Sequence, residues 1–217
     1  IYSIKDIRES LRAINTGYVI LGVGIVIVDY FLLTMYDVLA FKNEKLKLSN
    51  LKIIFTSFIS YAFANSIGLS GLTGSGLRIN LYSLWNVPYK SIIKVIKFCY
   101  VSFWVGLLWV GGLFLTFEPV DLSRFNFYFG TTREVGIILL IIAISYSSHK
   151  VFSKKKSIEI SVFQILISLL DWIMVSGLIY IFLPHSDTLT FMKFFPIFLS
   201  AQICQVELVL LIMYSLL

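Results

Sequence analysis

Six polar side chains stand in otherwise apolar parts of this 217-residue sequence, and they are the residues that could do chemistry. They are four acids, one amide and one guanidinium: Asp29, Asp37, Asn65, Arg78, Asp171 and Glu207. A charge inside a long apolar segment is costly, and such charges usually serve a function. Because Arg78 is the single base of the set, some of the four acids must be protonated, hydrated or near an interface.

Arg78 belongs to the stretch 60–82, which is rich in small and polar residues. Four glycines occur there within nine residues, namely Gly68, Gly71, Gly74 and Gly76. Each glycine costs about 1 kcal/mol relative to alanine inside a helix, and lipid tolerates broken backbone only where protein or water satisfies its polar groups. We therefore expect the backbone to open at these glycines and residues 51–82 to form a broken or re-entrant helix pair lining a polar site. The competing interpretation is a packing face of small residues.

Signatures of other chemistry are missing from the sequence. The glycine run has no Gly-Lys-Ser/Thr ending, so it is not a phosphate-binding loop, and it lacks the strand context of a dinucleotide fingerprint. His149 and His185 are far apart, and Cys99 and Cys204 lie in apolar runs. We predict no catalytic residue, no metal site and no cofactor.

The composition places the chain in the membrane. It is 58% hydrophobic and 14% charged, whereas a soluble domain carries about 25% charged residues. The net charge of +6 favours contact with anionic lipid headgroups, and nucleic acid is not expected as a partner because no basic patch with interleaved aromatics stands out. The sequence therefore predicts an all-α, polytopic membrane helical bundle, with residues 1–217 forming one transmembrane domain.

The predicted spans flank the glycine-rich stretch on both sides: residues 17–40, 98–117, 135–148, 158–183 and 195–217. Residues 1–16 are amphipathic and predict a helix lying at the membrane interface, or a solvated helical entry to the first span. If residues 51–82 dip into the membrane and return, the lysine-rich loops 42–52, 90–97 and 150–156 share one side, and these basic loops predict that it is the cytoplasm.

Several motifs, spread in order over nearly the whole chain, resemble the transmembrane module of the bacterial lysylphosphatidylglycerol synthase/flippase family, also called multiple peptide resistance factors. The matching segments are Tyr36-Asp37-Val38-Leu39-Ala40, Ser57-Phe58-Ile59, Tyr61-Ala62-Phe63-Ala64-Asn65, Gly68-Leu69-Ser70-Gly71-Leu72-Thr73-Gly74, Gly76-Leu77-Arg78, Leu81-Tyr82-Ser83, Phe103-Trp104-Val105-Gly106-Leu107, Leu170-Asp171-Trp172 and Phe182-Leu183-Pro184. One departure is that the family's Pro-Gly-Gly-x-Gly segment is replaced here by Cys204-Gln205-Val206-Glu207.

The resemblance implies a multi-pass domain of the bacterial cytoplasmic membrane that binds or translocates phosphatidylglycerol or its aminoacyl derivative. In that family, the amino acid arrives from aminoacyl-tRNA through a separate cytoplasmic aminoacyltransferase domain, which this chain lacks. We therefore expect the chain to be a fragment of a longer protein, and its status as an enzyme stays open. A secondary transporter of a small solute, a scaffold for a partner enzyme and a homo-oligomer also stay open.

Within that resemblance, the lipid-binding residues are expected to be Arg78, Asn65, Asp37, Asp171, Tyr36 and Tyr82. Arg78 would bind a lipid phosphate, while Asp37 and Asp171 would face a cationic headgroup. The structural alternative for Arg78 is a permanent ion pair with Asp37 or Asp171. Asp171, at the centre of its span, is expected to face the bundle interior or a hydrated groove and not lipid.

Overall fold

The computed structural model describes residues 15–67, 70–120, 132–153, 158–183 and 189–202. These residues form α1 (Thr16–Asn43), α2 (Asn50–Ile67), α3 (Ser70–Leu84), α4 (Tyr89–Phe117), α5 (Arg133–Ser153) and α6 (Ile158–Phe182), and α7 over residues 191–202. Because this part of the chain is helical and contains no strand, the predicted all-α membrane bundle is confirmed. Residues 1–14, Gly68 and Glu207 lie outside the described residues.

Among the described residues, three helices are long and apolar enough to cross a membrane: α1, α4 and residues Glu159–Phe182 of α6, with mean hydropathies of 2.2, 1.9 and 2.2. The shortest of them, with 24 residues, is about 36 Å long at 1.5 Å per residue, which exceeds a hydrocarbon core of about 30 Å. The predicted span 135–148 lies inside α5 but is not one of the three.

Helix α4 begins at Tyr89, earlier than the predicted span, which begins at residue 98. Pro88 precedes its first turn with φ −59°, a value preorganised for helix entry. Lys90, Lys94 and Lys97 therefore lie on the first turns of α4, where long basic side chains can extend to the membrane surface.

Helices α1 and α6 run antiparallel and pack along much of their length. Lys42 near the end of α1 lies 3.8 Å from Glu159 at the start of α6, and Gly22 near the start of α1 packs against Phe182 at the end of α6. The centres of the two helices, where their acidic residues occur, are therefore brought face to face.

Helices α2 and α3 form an antiparallel hairpin. Near the C-terminal end of α2 and the N-terminal end of α3, a Cβ at Gly74 would lie 3.2 Å from the Ala64 Cβ. At the other end, the Lys52 ammonium lies 4.2 Å from the centroid of the Trp85 ring. The N-terminus of α2 and the C-terminus of α3 therefore lie at the same end of the bundle.

The glycines of α3 correct one expectation. Gly71, Gly74 and Gly76 lie within the helix, so the backbone does not open there; α2 ends before them at Ile67 and α3 begins at Ser70. In an apolar medium, unpaired backbone groups cost more than the helical propensity of a few glycines. At Gly74, the missing side chain instead lets α3 approach α2 closely.

Helix α4 is central to the bundle and packs on both α5 and α6. At Gly106, an added Cβ would overlap the Ser168 side chain of α6, and at Gly112 it would lie 2.8 Å from Leu140 Cγ of α5. Small residues thus permit the close helix contacts that are typical of membrane bundles. Helix α7 contributes aromatic residues to a core cluster around Trp172.

Candidate functional site

The Asp37 carboxylate is the centre of a buried polar network that joins α1 to the α2–α3 hairpin. Arg78 donates two hydrogen bonds of 2.9 Å to it, from Nε to Oδ1 and from Nη2 to Oδ2. Tyr82 Oη donates to Oδ1 at 2.9 Å and Ser57 Oγ donates to Oδ2 at 2.6 Å. Asp37 has no exposed surface, so four donors replace the water that its charge would otherwise hold.

The Arg78 guanidinium is held from a second direction by an aromatic ring. Its Cζ atom lies 4.3 Å from the centroid of the Tyr61 ring, within the range of a cation–π contact. Its Nη1 group has one long contact, 3.5 Å from the Gly74 carbonyl oxygen. Two donors of Arg78 are thus committed to Asp37, while the Nη1 edge is bound much more weakly.

A second polar network joins α1, α4 and α6. Tyr36 Oη lies 3.0 Å from both Asp171 Oδ2 and Ser168 Oγ. Because the hydroxyl has one proton and the carboxylate is the stronger acceptor, Tyr36 donates to Asp171. Ser168 lies 2.8 Å from the carbonyl oxygens of Ser102 and Gln164, and Gln164 Nε2 donates to Ser102 Oγ at 2.7 Å.

Asp29 extends this second network toward the start of α1. Its carboxyl group and that of Asp171 line the same cavity, and its Oδ1 atom is buried without a hydrogen-bond partner. Asp171 itself is 3% exposed. The prediction that Asp171 faces the bundle interior is therefore confirmed.

Both networks border a single cavity of about 500 Å³ between the hairpin and helices α1, α4 and α6. Its polar lining comes from all five helices: Asp29, Tyr36, Tyr61, Asn65, Ser75, Arg78, Cys99, Tyr100 and Asp171. At its edge, Asn65 is exposed, and Tyr100 and Trp104 of α4 are 45% and 36% exposed. The cavity therefore opens sideways between α2 and α4, toward the surface that faces lipid.

The charges around this cavity do not balance within the part of the chain that the structure describes. Arg78 is matched by Asp37. Asp29 and Asp171 also line the cavity, and neither forms an ion pair with a described lysine or arginine. The site therefore combines a neutral ion pair at one end with an acidic pair near the centre of α1 and α6.

The structure brings five of the six predicted site residues to this cavity or directly behind it. Arg78, Asn65, Asp171 and Tyr36 line it, and Asp37 lies behind Arg78. Tyr82 is fully buried and contacts Asp37 from the hairpin. The ion pair between Arg78 and Asp37, which the sequence left as an alternative, is the arrangement that the structure contains.

Sequence reasoning missed several residues that hold the charged groups in place. Ser57, Ser168, Ser102 and Gln164 are buried in helix contacts, but serine is common in membrane helices and its spacing alone gives no signal. A helical-face analysis could have found Ser57, because it lies four residues before Tyr61 on the face of α2 that meets α1.

Comparison with known proteins identifies relatives along almost the whole chain. "Uncharacterized protein slr0712" from Synechocystis sp. is 34% identical over 214 residues, which is 93% of this chain and 66% of that protein. "Inner membrane protein YbhN" from Escherichia coli is 27% identical over 195 residues, or 84% of this chain and 61% of that protein. The chain thus spans slightly less than two thirds of these two relatives.

A more distant relative is the phosphatidylglycerol lysyltransferase of Staphylococcus aureus (strain COL), 25% identical over 210 residues, which is 93% of this chain and 24% of that enzyme. No family model matches the sequence. The chain is therefore a helical membrane protein homologous to the E. coli inner membrane protein YbhN and, at low identity, to part of the S. aureus phosphatidylglycerol lysyltransferase.

Proposed function

We propose that this chain is a lipid-handling membrane domain that binds the headgroup of phosphatidylglycerol, or of its aminoacyl derivative, in the cavity beside Arg78 and Asp171. The observation that carries the proposal is the position of the cavity. It is a chamber in which charged side chains stand among apolar ones, and it opens sideways between helices whose outer surfaces are apolar.

A sideways opening suits a phospholipid because the headgroup and the acyl chains need different surroundings. The headgroup can enter the polar chamber, while the chains remain against the exposed aromatic side chains of Tyr100, Phe103 and Trp104 on α4. A small hydrophilic solute would gain nothing from a rim of exposed aromatic residues, whereas acyl chains pack on it favourably.

The headgroup contacts are divided between the two ends of the cavity. The Nη1 edge of Arg78, which has only a 3.5 Å contact to Gly74, is the available donor for a phosphate oxygen, and a charge-assisted hydrogen bond there is strong. Asp171 lies at the other end, where an aminoacyl ammonium would find a carboxylate. Asn65 at the opening can bind the glycerol hydroxyls.

The distant similarity to phosphatidylglycerol lysyltransferase supports this choice of lipid. The chain covers 24% of that enzyme, so the enzyme's transfer activity is not carried over to it. The proposal for this chain is therefore binding, and movement of the bound lipid through the cavity is its functional extension.

The test is native mass spectrometry of the purified protein after exchange into phosphatidylglycerol, lysylphosphatidylglycerol or phosphatidylcholine. We expect retention of the first two lipids. Arg78→Lys keeps the charge but loses the planar fork, and Asp171→Asn keeps the shape but loses the charge. Loss of one charged hydrogen bond, worth about 1.5–3 kcal/mol, should weaken binding by roughly tenfold or more in a folded variant. Arg78→Lys should weaken binding of both lipids, and Asp171→Asn that of lysylphosphatidylglycerol, the one that carries an ammonium.

Glu159→Gln is the matched control because Glu159 is exposed and lies outside the cavity. Retention of both lipids by folded Arg78→Lys and Asp171→Asn at the level of Glu159→Gln would refute the proposal. Thermal stabilisation by a water-soluble solute, with no selective lipid retention, would instead favour a small-solute transporter.

A further inference from the structure

The acidic pair at the centre of the bundle has no counter-charge among the described residues. Asp29 is the 14th residue of the 28-residue α1, and Asp171 is the 14th of the 25-residue α6. Each is thus about 20 Å from the start of its helix at 1.5 Å per residue. Charges at such depth are rare and mark ion or proton pathways when they face a cavity.

We propose that Asp29 and Asp171 form an exchangeable binding site for a monovalent cation, either a proton or a sodium ion, inside the cavity. Three observations carry this proposal together. The two residues lie at the middle of α1 and α6, which pack face to face, both line the cavity, and one of their oxygens, Oδ1 of Asp29, is buried with no hydrogen-bond partner.

Repulsion between the carboxylates is the physical reason for the site. Two negative charges in contact in a medium of low dielectric constant repel strongly, and a cation between them removes the repulsion. The unpartnered Oδ1 atom adds the cost of a buried acceptor without a donor. A bound proton supplies that donor, and a bound sodium ion supplies an equivalent positive partner with oxygen ligands.

The surrounding groups leave this role to a small cation. Tyr36 from α1 already donates to Asp171. Arg78 from α3 is committed to Asp37, and the titratable groups facing the cavity from α2 and α4 are Tyr61, Cys99 and Tyr100, which carry no positive charge. The lining also offers an approach for the cation, because the cavity is open at the Asn65 side.

Such a site would link the occupancy of the cavity to the cation gradient across the membrane. A cation bound at Asp29 and Asp171 neutralises the acidic end of the chamber, and its release restores the negative charge. The inference does not depend on which ligand the chamber accepts, so it can be tested without lipid substrate.

The experiment measures the thermal unfolding midpoint of the protein in nanodiscs of phosphatidylcholine, a lipid without net charge. One arm varies pH in choline chloride, and the other replaces choline chloride by sodium chloride at the highest pH tolerated. Because a ligand that binds the folded state stabilises it in proportion to the logarithm of its concentration, the midpoint should rise by about 3–5 °C per tenfold increase in the bound cation.

Asp29→Asn and Asp171→Asn are the test variants, since each keeps the side-chain shape while halving the charge of the pair. In both variants the unfolding midpoint should no longer rise with cation concentration, whereas in Glu159→Gln it should rise as in the wild type. A response in the pH arm alone identifies a proton site, and a response to sodium identifies a sodium site. The intrinsic tryptophan fluorescence of the protein gives a second readout of cation binding in the same titrations, because Trp104 lines the cavity.

The proposal is overturned if neither arm changes the wild-type midpoint or the fluorescence. It is also overturned if both asparagine variants respond as Glu159→Gln does. Failure of the lipid-retention experiment above would leave these outcomes unchanged, because no substrate lipid is present in these nanodiscs.

Discussion

Arg78 and Asp37 bind each other through two hydrogen bonds of 2.9 Å, side by side, although they are 41 residues apart in the sequence. Arg78 is 6% exposed and Asp37 is fully buried. The fork geometry of a guanidinium matches a carboxylate in a way that an ammonium cannot. This pair fixes the hairpin of α2 and α3 against α1 and forms one wall of the cavity.

Removing one member of this pair should destabilise the protein far more than removing both. Arg78→Met leaves the Asp37 charge buried and should lower the free energy of unfolding by about 3–5 kcal/mol. The double variant Asp37→Asn with Arg78→Met, which leaves no charge, should recover a large part of that loss. Unfolding curves in detergent for the two single variants and the double variant give the coupling energy.

Simple additivity in that cycle would contradict the prediction. If the loss in the double variant equals the sum of the losses in the single variants, the pair has no energetic coupling and Arg78 is held by other groups. Tyr61, whose ring lies beneath the guanidinium, would then be the next residue to vary.

The contact between α4 and α6 predicts a steric effect at Gly106. A methyl group at this position would overlap Ser168, so Gly106→Ala should destabilise the protein by about 1–3 kcal/mol. Ser168→Gly should relieve the overlap, although it also removes a hydroxyl that bonds to the backbone of both helices. Thermal unfolding of Gly106→Ala, Ser168→Gly and the variant that combines them provides the comparison.

Gly177 offers the matched control for that experiment. It also lies within a membrane-spanning helix, but an added Cβ meets no atom within 4 Å. Gly177→Ala should therefore leave stability unchanged or raise it by the helical preference of alanine, about 1 kcal/mol. Equal destabilisation by Gly106→Ala and Gly177→Ala would show that the contact with Ser168 does not cause the loss, and the prediction would be wrong.

The sequence predicted the charged groups of the site better than their supports. Arg78 and Asp171 stand out because each interrupts an apolar segment. Tyr36 and Ser168, by contrast, meet across 132 residues of sequence, and no local pattern encodes such a pairing. The prediction that the backbone opens at the glycines of α3 was wrong for a physical reason. Helix propensity measured in water underestimates how strongly an apolar medium requires backbone hydrogen bonds.

Tyr36 should be energetically coupled to Asp171. Tyr36→Phe removes a hydrogen bond to a carboxyl group, and such bonds contribute about 1.5–3 kcal/mol. The same substitution made in an Asp171→Leu background should cost much less, because the acceptor is already gone. Equal losses in both backgrounds, measured by unfolding, would show that the hydroxyl acts through Ser168 instead.

The hairpin of α2 and α3 should enter and leave the membrane on the same side. Helix α3 has 15 residues, or about 22 Å at 1.5 Å per residue, which is shorter than a hydrocarbon core of about 30 Å. The contact of Lys52 with Trp85 brings the two outer ends of the hairpin together. We therefore predict that residues 51–82 are re-entrant and that Lys52 and Lys90 are exposed on one side of the membrane.

Single cysteines at these two positions test this topology in a background where Cys99 and Cys204 are replaced by alanine and serine. A membrane-impermeant maleimide applied to intact cells, and then to inverted membrane vesicles, reports the side of each position. Lys52→Cys and Lys90→Cys should react in the same preparation. The basic residues near both positions predict that they face the cytoplasm, so both should react in the inverted vesicles. A cysteine at Glu118, beyond the opposite end of α4, should react in the other preparation. Reaction of the Lys52 and Lys90 positions on opposite sides would mean that the hairpin crosses the membrane, and the re-entrant topology would be wrong.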